Sequence, residues 1–286
     1  MNRQWTSRAP GVTVRSMSSD HFPDLISDLF SLADRTCLVT GGSKGLGRHM
    51  AEAFLAAGAH RVYITARNAD AVQATADALT AAHDGECIAL PGDLSTMADV
   101  EQLVATITER EEHLDVLVNN AGRGWLAPLG DFPERGWDKV MDLNVKAPFF
   151  LTQALIPHLT ARATPEHTSS VINIGSIAGI TANPSNTYSY DVSKAGIHMM
   201  TRNLAFTLSQ RHVRVNAIAP GRFHSDMTEY AKADPAAYEA ELRMIPMHRW
   251  GDADDIKGVA LLLATRAGAF ITGQIIPVDG GTTLVG

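Results

Sequence analysis

The stretch that decides the fold is Cys37-Leu38-Val39-Thr40-Gly41-Gly42-Ser43-Lys44-Gly45-Leu46-Gly47. Its first four residues form a run typical of a buried strand, and apolar side chains recur at helical spacing after it. A glycine-rich turn between a strand and a helix often serves only the turn, but it also lets the backbone approach a pyrophosphate at the helix amino end. We predict a phosphate-binding loop in which Gly41, Gly45 and Gly47 allow the close approach, with Ser43, Lys44 and Leu46 beside them.

Six further strand-like runs follow this loop and alternate with longer helical patterns. That alternation is typical of a parallel sheet with helices on both faces. We predict an α/β fold, a single doubly wound Rossmann domain over residues 31–286, with a lid at about 222–250 over the active site. The seven predicted strands of its parallel sheet are 37–40, 62–65, 87–90, 116–119, 171–174, 215–218 and 275–278.

The composition restricts the class of protein. The chain has 286 residues, a hydrophobic fraction of 45% and a net charge of -7, and no apolar run approaches the length of about 20 residues that a membrane span needs. We expect no nucleic-acid or membrane partner. Cys37 and Cys87 lie in apolar runs without a C-x-x-C pattern, which favours reduced thiols and a cytoplasmic location. The histidines, His198, His212 and His224 among them, look scattered, so we expect no metal.

The first thirty residues differ from the rest because they show no clear apolar periodicity. We expect residues 1–30 to form a disordered extension. Residues 1–19 carry Arg3, Arg8 and Arg15 without an acidic residue, a composition that also fits a transit segment. Met17 is an alternative start of the chain, so the sequence leaves the nature of residues 1–16 open.

Tyr190 and Lys194 lie four residues apart and therefore share one face of a helix. A phenol with a pKa of about 10 is a weak acid–base group at neutral pH, and a neighbouring ammonium group lowers that pKa. We predict that Tyr190 exchanges a proton with the substrate oxygen and that Lys194 supports it. Tyr188 is the competing tyrosine, but the residue four positions later is Val192.

Three more blocks follow in order, namely Asp93-Leu94, Asn119-Asn120-Ala121-Gly122 and Pro220-Gly221. With the TGxxxGxG loop and the Tyr190/Lys194 pair, they resemble the short-chain dehydrogenase/reductase family from about Leu32 to Gly281. The resemblance implies that Asp93 and Asn120 serve the adenine side and the loop, and that Ile218, Pro220 and Gly221 line the nicotinamide. The remaining cofactor contacts expected from it are Leu94, Ala121, Gly122, Tyr190, Lys194, Phe223 and Ser225, the last standing where relatives have threonine.

The same resemblance implies two further catalytic residues. Ser176, fourteen positions before Tyr190, matches the serine that orients the substrate oxygen, although an isolated serine at a strand end is usually a cap. Asn144 matches an asparagine that bends a helix and holds a water relaying protons to the lysine. Its alternative is a satisfied amide within a helix.

The end of the second predicted strand bears on the choice between NAD and NADP. A carboxylate there would accept hydrogen bonds from the ribose hydroxyls and repel a 2′-phosphate. Ala66 occupies that place, Arg67 follows it, and Lys44 stands in the glycine loop. Two cations without a carboxylate favour NADP(H), although each cation alone would be read as a solvated surface charge.

The substrate is the least constrained prediction. Trp125, Phe223, Met227, Tyr230, Met244, Ile245 and Met247 suit an apolar substrate, or equally pack the lid or an oligomer contact. Residues 219–228 and 245–251 resemble β-ketoacyl reductases, particularly the rhamnolipid-associated branch. This resemblance implies a 3-oxoacyl thioester of CoA or an acyl carrier, contacts from Arg222, Arg243 or Arg249, and a homotetramer or homodimer. The alternatives are a sugar-acid, steroid or polyketide ketone, or a non-catalytic dinucleotide-binding protein.

Overall fold

The structure, a computed structural model, describes residues 22–182, 185–224 and 234–285. Its centre is a seven-stranded sheet in which every neighbouring pair is parallel, in the order β3-β2-β1-β4-β5-β6-β7. All seven predicted strands are confirmed, and none extends more than two residues beyond its predicted bounds at either end. The strands are β1 Thr36–Thr40, β2 Arg61–Ala66, β3 Glu86–Pro91, β4 Val116–Asn119, β5 Ser169–Ile174, β6 Val213–Pro220 and β7 Ile275–Val278.

Nine α-helices accompany the sheet in the described ranges. One π-helical turn, Asp142–Lys146, joins two of them. The helices are α1 Phe22–Phe30, α2 Gly45–Ala56, α3 Ala69–Ala82, α4 Met97–Arg110, α5 Glu134–Met141, α6 Ala147–Thr160, α7 Tyr188–Leu208, α8 Pro235–Arg243 and α9 Ala253–Ala264.

The core lies in two layers, one on each face of the sheet. Successive side chains of a strand point to opposite faces. Accordingly Cys37 and Val39 of β1 pack with residues of α2, α3 and α9, whereas Leu38 packs with residues of α4, α6 and α7. Burial on both faces explains why the strands read as continuous apolar runs rather than as alternating patterns. The predicted doubly wound α/β fold is confirmed.

The expectation of disorder through residue 30 is wrong for its last part. Residues 22–30 form α1, in which Leu25, Leu29 and Phe30 are partly buried. Asp28 pairs with Arg266, which lies after α9. The spacing of four between Leu25 and Leu29 is a helical signal that is too short to stand out in the sequence. Residues 1–21 lie outside the described residues.

The strand order determines at which edge of the sheet a ligand can bind. β1 leads outward through β2 to β3, and the chain then returns to β4 on the other side of β1. The reversal opens a crevice at the carboxyl ends of β1 and β4, which is where open α/β sheets bind ligands. The glycine loop and the Asn119–Gly122 turn therefore face each other across this crevice.

The amino edge of the sheet is held by a buried carboxylate. Asp115 is fully buried and accepts hydrogen bonds from the Thr36 backbone N–H at 2.8 Å, from Arg35 at 3.2 Å and from Arg162 at 2.8 Å. Burial alone would raise its pKa, but these hydrogen bonds and the two guanidinium charges hold it below its ordinary value. Asp115 thus joins the start of β1 to the chain after α6.

Both cysteines are buried free thiols, as predicted. Burial raises the pKa of Cys87 to about 12, so the thiolate is not populated at neutral pH. Within the part of the chain that the structure describes, no helix is long and apolar enough to span a bilayer.

Candidate active site

The glycine loop has the predicted shape, but its glycines serve different purposes. Gly41 and Gly45 adopt left-handed backbone conformations with φ of +67° and +55°, which strain any residue with a Cβ. A Cβ added at Gly45 would meet nothing within 4 Å, so this position faces open space. A Cβ at Gly47 would lie 2.3 Å from the Gly41 carbonyl oxygen. Gly47 therefore allows the loop to pack against itself, which differs from its predicted role.

Asn120 ties the end of β4 to this loop. Its side-chain amide donates to the Thr40 carbonyl at 2.8 Å and to the Gly41 carbonyl at 3.1 Å. The Thr40 hydroxyl in turn accepts from the backbone N–H groups of Asn120 and Ala121 at 2.9 and 3.0 Å. Leu94 and Ala121 pack into the core layer of α4, α6 and α7, so their side chains anchor the loops after β3 and β4 in the core.

The carboxyl end of β2 carries the cofactor-selecting residues. Ala66 is partly buried, whereas Arg67 and Lys44 are exposed at the ends of neighbouring loops. Asp93, after β3, accepts hydrogen bonds from the Ser95 hydroxyl at 2.8 Å and the Ser95 backbone at 3.1 Å. Burial raises the pKa of Asp93, but these bonds and the charges of Arg67 and Arg123 outweigh it, so the pKa is lowered.

These features fit a dinucleotide phosphate. The first turn of an α-helix leaves backbone N–H groups without intrahelical partners, and Lys44 does not cap α2 with its side chain. The Ser43 carbonyl is held by the Thr75 hydroxyl at 2.8 Å, which fixes the loop to α3. An open glycine position, a helix amino end and two nearby cations form a cradle for a pyrophosphate and a further phosphate.

Tyr190 and Ser176 meet at the centre of this edge. Ser176 follows β5, is 8% exposed, and caps a 3₁₀ turn by accepting from the Ala178 N–H at 3.1 Å. Tyr190 is the third residue of α7, and its phenol lies close enough to Ser176 for the serine to lower its pKa. The structure thus brings together a tyrosine and a serine that the sequence separates by fourteen positions.

Lys194 lies one turn further along α7 and is 5% exposed. Its ammonium group donates to the Ile174 carbonyl at 2.7 Å and lies 5.4 Å from the centre of the Tyr190 ring. A Cβ added at Gly122 would lie 3.6 Å from this nitrogen, so the β4 turn also reaches it. Burial lowers the pKa of Lys194 to about 8.

The net shift at Tyr190 is opposite to the expected one. Burial raises the pKa of the phenol, the Ser176 side chain lowers it, the Asp191 charge raises it and the Arg222 charge lowers it, and burial prevails. The hydrogen bond that the Lys194 ammonium group donates goes to the Ile174 carbonyl and not to the phenol. The tyrosine is therefore neutral at pH 7 and is a proton donor in this state.

Asn144 occupies the π-helical turn between α5 and α6 and is 2% exposed. Its amide oxygen accepts from the Arg123 N–H at 2.9 Å, and its amide nitrogen donates to the Arg123 carbonyl at 2.9 Å and the Ser193 hydroxyl at 3.0 Å. A π-turn widens a helix locally and often marks a functional site. Asn144 therefore sits where a helix is distorted, as its motif predicts, and it locks the β4 turn against α7.

The carboxyl end of β6 departs from two expectations. Phe223 is 5% exposed and packs in the core layer of α2, α3 and α9, because its ring fills the space above Gly251. Ile218 is fully buried in the same layer. Neither side chain lies open to a ligand, whereas the Gly221 backbone packs closely against Asp279 after β7. Pro220 is a buried part of β6.

The predicted lid extends beyond the described residues. Residues 225–233, with Ser225, Met227 and Tyr230, lie outside the described residues. Of the other predicted lining residues, Trp125 packs on Gly136 of α5, and Ile245 is buried in a small cluster with Trp250, so both are structural. Met244 and Met247 are 56% and 62% exposed.

Two further residues lie near the site, namely Arg222, which was expected only as a contact to the carrier, and His198, which was not expected there. Arg222 lies close enough to Tyr190 to lower the pKa of its phenol, and its Nε is 3.5 Å from the Glu241 carboxylate in α8. His198 is 5% exposed and packs under the Ser176 turn, although it looked scattered in the sequence. Its spacing of four from Lys194 was the available signal. No group of three metal-ligating side chains occurs among the described residues.

Comparison with known proteins identifies the family. A family model described as enoyl-(acyl carrier protein) reductase matches residues 41–283. The chain belongs to the short-chain dehydrogenase/reductase family. A curated short-chain dehydrogenase/reductase, the rhamnolipids biosynthesis 3-oxoacyl-(acyl-carrier-protein) reductase of Pseudomonas aeruginosa, is 48% identical over 252 residues, which are 88% of this chain and 97% of that relative.

Other members of the short-chain dehydrogenase/reductase family are also similar. The gluconate 5-dehydrogenase of Gluconobacter oxydans is 33% identical over 260 residues, covering 90% of this chain and 98% of the relative. The solved Pseudomonas aeruginosa RhlG/NADP active-site complex matches with a TM-score of 0.85 and 47% identity over 89% of this chain and 98% of that chain. The family predicted from the motifs is confirmed.

Proposed function

We propose that this protein is an NADPH-dependent oxidoreductase that reduces the ketone of a 3-oxoacyl thioester to a secondary alcohol. The observation that carries the reaction type is the half-buried Tyr190 phenol, close enough to Ser176 for the serine to lower its pKa, with Lys194 one helical turn away. The full group of Asn144, Ser176, Tyr190 and Lys194 argues against a non-catalytic dinucleotide-binding protein.

The side chains divide the chemistry between them. NADP(H), when bound, supplies the hydride that the ketone carbon accepts. Ser176 donates a hydrogen bond to the ketone oxygen and orients it, and Tyr190 gives that oxygen its proton. Because burial keeps the phenol protonated, the site is poised for reduction. Lys194, with a pKa of about 8, is mostly charged at pH 7 and stabilises the phenolate as it forms.

The preference for NADPH rests on the end of β2. Ala66 places no carboxylate there, so nothing at this strand end repels a 2′-phosphate. Exposed Arg67 and Lys44 flank the position and supply charge-assisted hydrogen bonds to it. The similar Pseudomonas aeruginosa structure is a complex with NADP, which supports the same choice.

The thioester substrate rests on similarity and on one charge near the site. Two relatives with 48% and 36% identity are 3-oxoacyl-(acyl-carrier-protein) reductases. Arg222, near Tyr190 and paired with Glu241, provides a cation at the mouth that suits an anionic phosphopantetheine or carrier. A sugar-acid ketone is the second candidate, because gluconate 5-dehydrogenase is also similar.

The test measures the oxidation of NADPH and NADH with acetoacetyl and longer 3-oxoacyl thioesters, 5-ketogluconate and unrelated ketones. Tyr190→Phe and Tyr188→Phe form a matched pair, because only Tyr190 has the lysine four residues later. We expect NADPH-dependent thioester reduction that Tyr190→Phe abolishes and Tyr188→Phe retains. Activity on sugar-acid ketones alone would reject the thioester but keep the oxidoreductase.

A self-association is part of this proposal. An open apolar groove between α5, α6 and α7 exposes Phe149, Phe150 and Met199, which supports a homodimer or homotetramer. Light scattering after gel filtration measures the subunit number, and a monomer at micromolar concentration would reject the self-association.

The two buried thiols support a cytoplasmic location.

A further inference from the structure

The five residues 175–179 form a short turn that presents Ser176. Ser176 closes the turn on itself, since its hydroxyl accepts from the Ala178 N–H at 3.1 Å and its carbonyl accepts from the Gly179 N–H at 3.0 Å. The Gly175 N–H donates to the Ile218 carbonyl at 2.7 Å, which fixes only the first residue to β6. The other end of the turn packs on α7, where a Cβ built on Gly179 would lie 2.6 Å from the Ala195 backbone nitrogen.

The imidazole of His198, two helical turns after Tyr190 in α7, contacts both ends of the turn. A Cβ built on Gly175 would lie 2.2 Å from its Nε2, and a Cβ built on Gly179 would lie 2.9 Å from its Cε1. The ring thus packs against Gly175 and Gly179, the first and last residues of the turn. The Gly179 backbone also lies close enough to the ring to raise the pKa of His198. Both glycines lack side chains where the ring approaches them, so ring and turn are fitted to each other.

The surroundings keep this imidazole neutral. His198 is 5% exposed, and its Nε2 is buried without a hydrogen-bond partner. Burial lowers its pKa, the Gly179 backbone raises it, and the charges of Lys194 and Arg202 lower it, with a net lowering. A second buried cation one turn from Lys194 is therefore avoided. The ring contacts the turn rather than the reacting atoms, so it takes no proton in the reaction.

We propose that His198 is a positioning residue that holds the 175–179 turn so that the Ser176 hydroxyl meets the Tyr190 phenol. The proposal rests on the proposed function only for its catalytic consequence. An error of about 1 Å in the placement of a reacting group costs up to about 100-fold in rate. The expected loss on removing the ring is therefore at least about tenfold in kcat, with NADPH binding unchanged.

A double-mutant cycle tests whether His198 acts through Ser176. We expect His198→Ala to lower kcat about tenfold or more in the native background and less than about twofold in the Ser176→Ala background. His198→Asn, which keeps an N–H donor, should recover part of the loss. Leu208→Ala is the control, because it opens a cavity in the core at the far end of the same helix and should leave kcat unchanged. An equal loss in both backgrounds, or no loss, would overturn the proposal.

Hydrogen exchange provides an arm that needs no turnover. The Ala178 and Gly179 amides are protected by Ser176, and we expect His198→Ala to speed their exchange at least tenfold over Leu208→Ala. Exchange that is equal in the two variants overturns the proposal even where a variant is too slow to assay. A native protein that reduces no carbonyl, combined with faster exchange in His198→Ala, would reject the proposed function and leave the support of the turn standing.

Discussion

At the scale of single residues, burial decides the protonation of the catalytic pair. It raises the pKa of Tyr190 and lowers that of Lys194 to about 8. The lysine charge is therefore present below pH 8 and is lost as the pH rises through that value. We expect kcat/KM for carbonyl reduction to be level from about pH 6 to 7.5 and to fall above about pH 8. A profile that stays level to pH 9.5 in initial-rate assays would contradict this assignment.

Cofactor choice is also decided by single residues. Ala66→Asp places a carboxylate beside the expected 2′-phosphate, where it repels NADPH and accepts hydrogen bonds from the ribose of NADH. We expect the KM for NADPH to rise about tenfold to 100-fold, because two like charges a few ångströms apart near a protein surface repel by about 1–4 kcal/mol, and the KM for NADH to fall. Arg48→Ala, which removes an exposed cation within α2, is the control and should change neither. An unchanged NADPH preference in Ala66→Asp would place the selection elsewhere.

At the scale of elements, one carboxylate fastens the amino edge of the sheet. Asp115→Asn removes the charge that faces Arg35 and Arg162 but keeps a similar shape. We expect a loss of about 2–4 kcal/mol in the free energy of unfolding, because two guanidinium groups lose their counter-charge. Urea unfolding at pH 7 measures it, and the Kd for NADPH of the folded variant should not change. A loss below about 0.5 kcal/mol, the usual size for a surface substitution, would show that the cluster is not structural.

The same carboxylate sets an acid limit. Its folded pKa is depressed, so its contribution to stability is present above the unfolded value of about 3.9 and is lost as the pH falls through the folded value. The difference in stability between the native protein and Asp115→Asn should therefore shrink below about pH 4. A difference that is constant from pH 7 to pH 3 would rule out the charge as its source.

The elements also show what the sequence could predict. Strands such as β1 and β4 are buried on both faces, so continuous apolar runs in the sequence predict them. The catalytic group was found because Tyr190 and Lys194 share a helix and Ser176 follows a strand. Phe223 lies in the core rather than open to a ligand, and Ile245 follows its packing alternative. The sequence could not decide either case, since an apolar side chain has the same letter in a core and in a pocket. Helix α1 was missed because nine residues contain too few repeats to reveal a period.

The direction of the Tyr190 pKa shift shows a deeper limit. Sequence spacing predicts that Lys194 is near the phenol, and it is, at 5.4 Å from the ring centre. Spacing carries no information on burial, which outweighs the charge at this site. The packing of His198 under the Ser176 turn was hidden for the same reason, because the contact joins α7 to a loop twenty residues earlier.

At the scale of the whole molecule, a chain with a net charge of -7 is proposed to bind a cofactor that is itself negatively charged. Local cations and the amino end of α2 must therefore outweigh the overall repulsion. Salt screens these two attractions differently. The attraction of the exposed Arg67 and Lys44 side chains to the phosphates weakens at high ionic strength, whereas the attraction of backbone N–H groups in a closed loop weakens less. The preference for NADPH over NADH should accordingly narrow as salt increases.

Cofactor binding should also stabilise the whole fold. The cradle draws on loops after β1, β2, β3 and β4, so unfolding of the sheet destroys it and binding is lost with the native state. At 100 times its Kd, NADPH should add about 2.7 kcal/mol to the free energy of unfolding, which corresponds to roughly 4–6 °C in Tm for a domain of this size. Differential scanning fluorimetry with NADPH and NADH at equal concentration measures the shift. Equal Tm shifts with the two cofactors would contradict the assignment of Arg67 and Lys44. A large Tm shift with NADPH alone that disappears in Ala66→Asp would show that stabilisation by the cofactor depends on the residue at the end of β2.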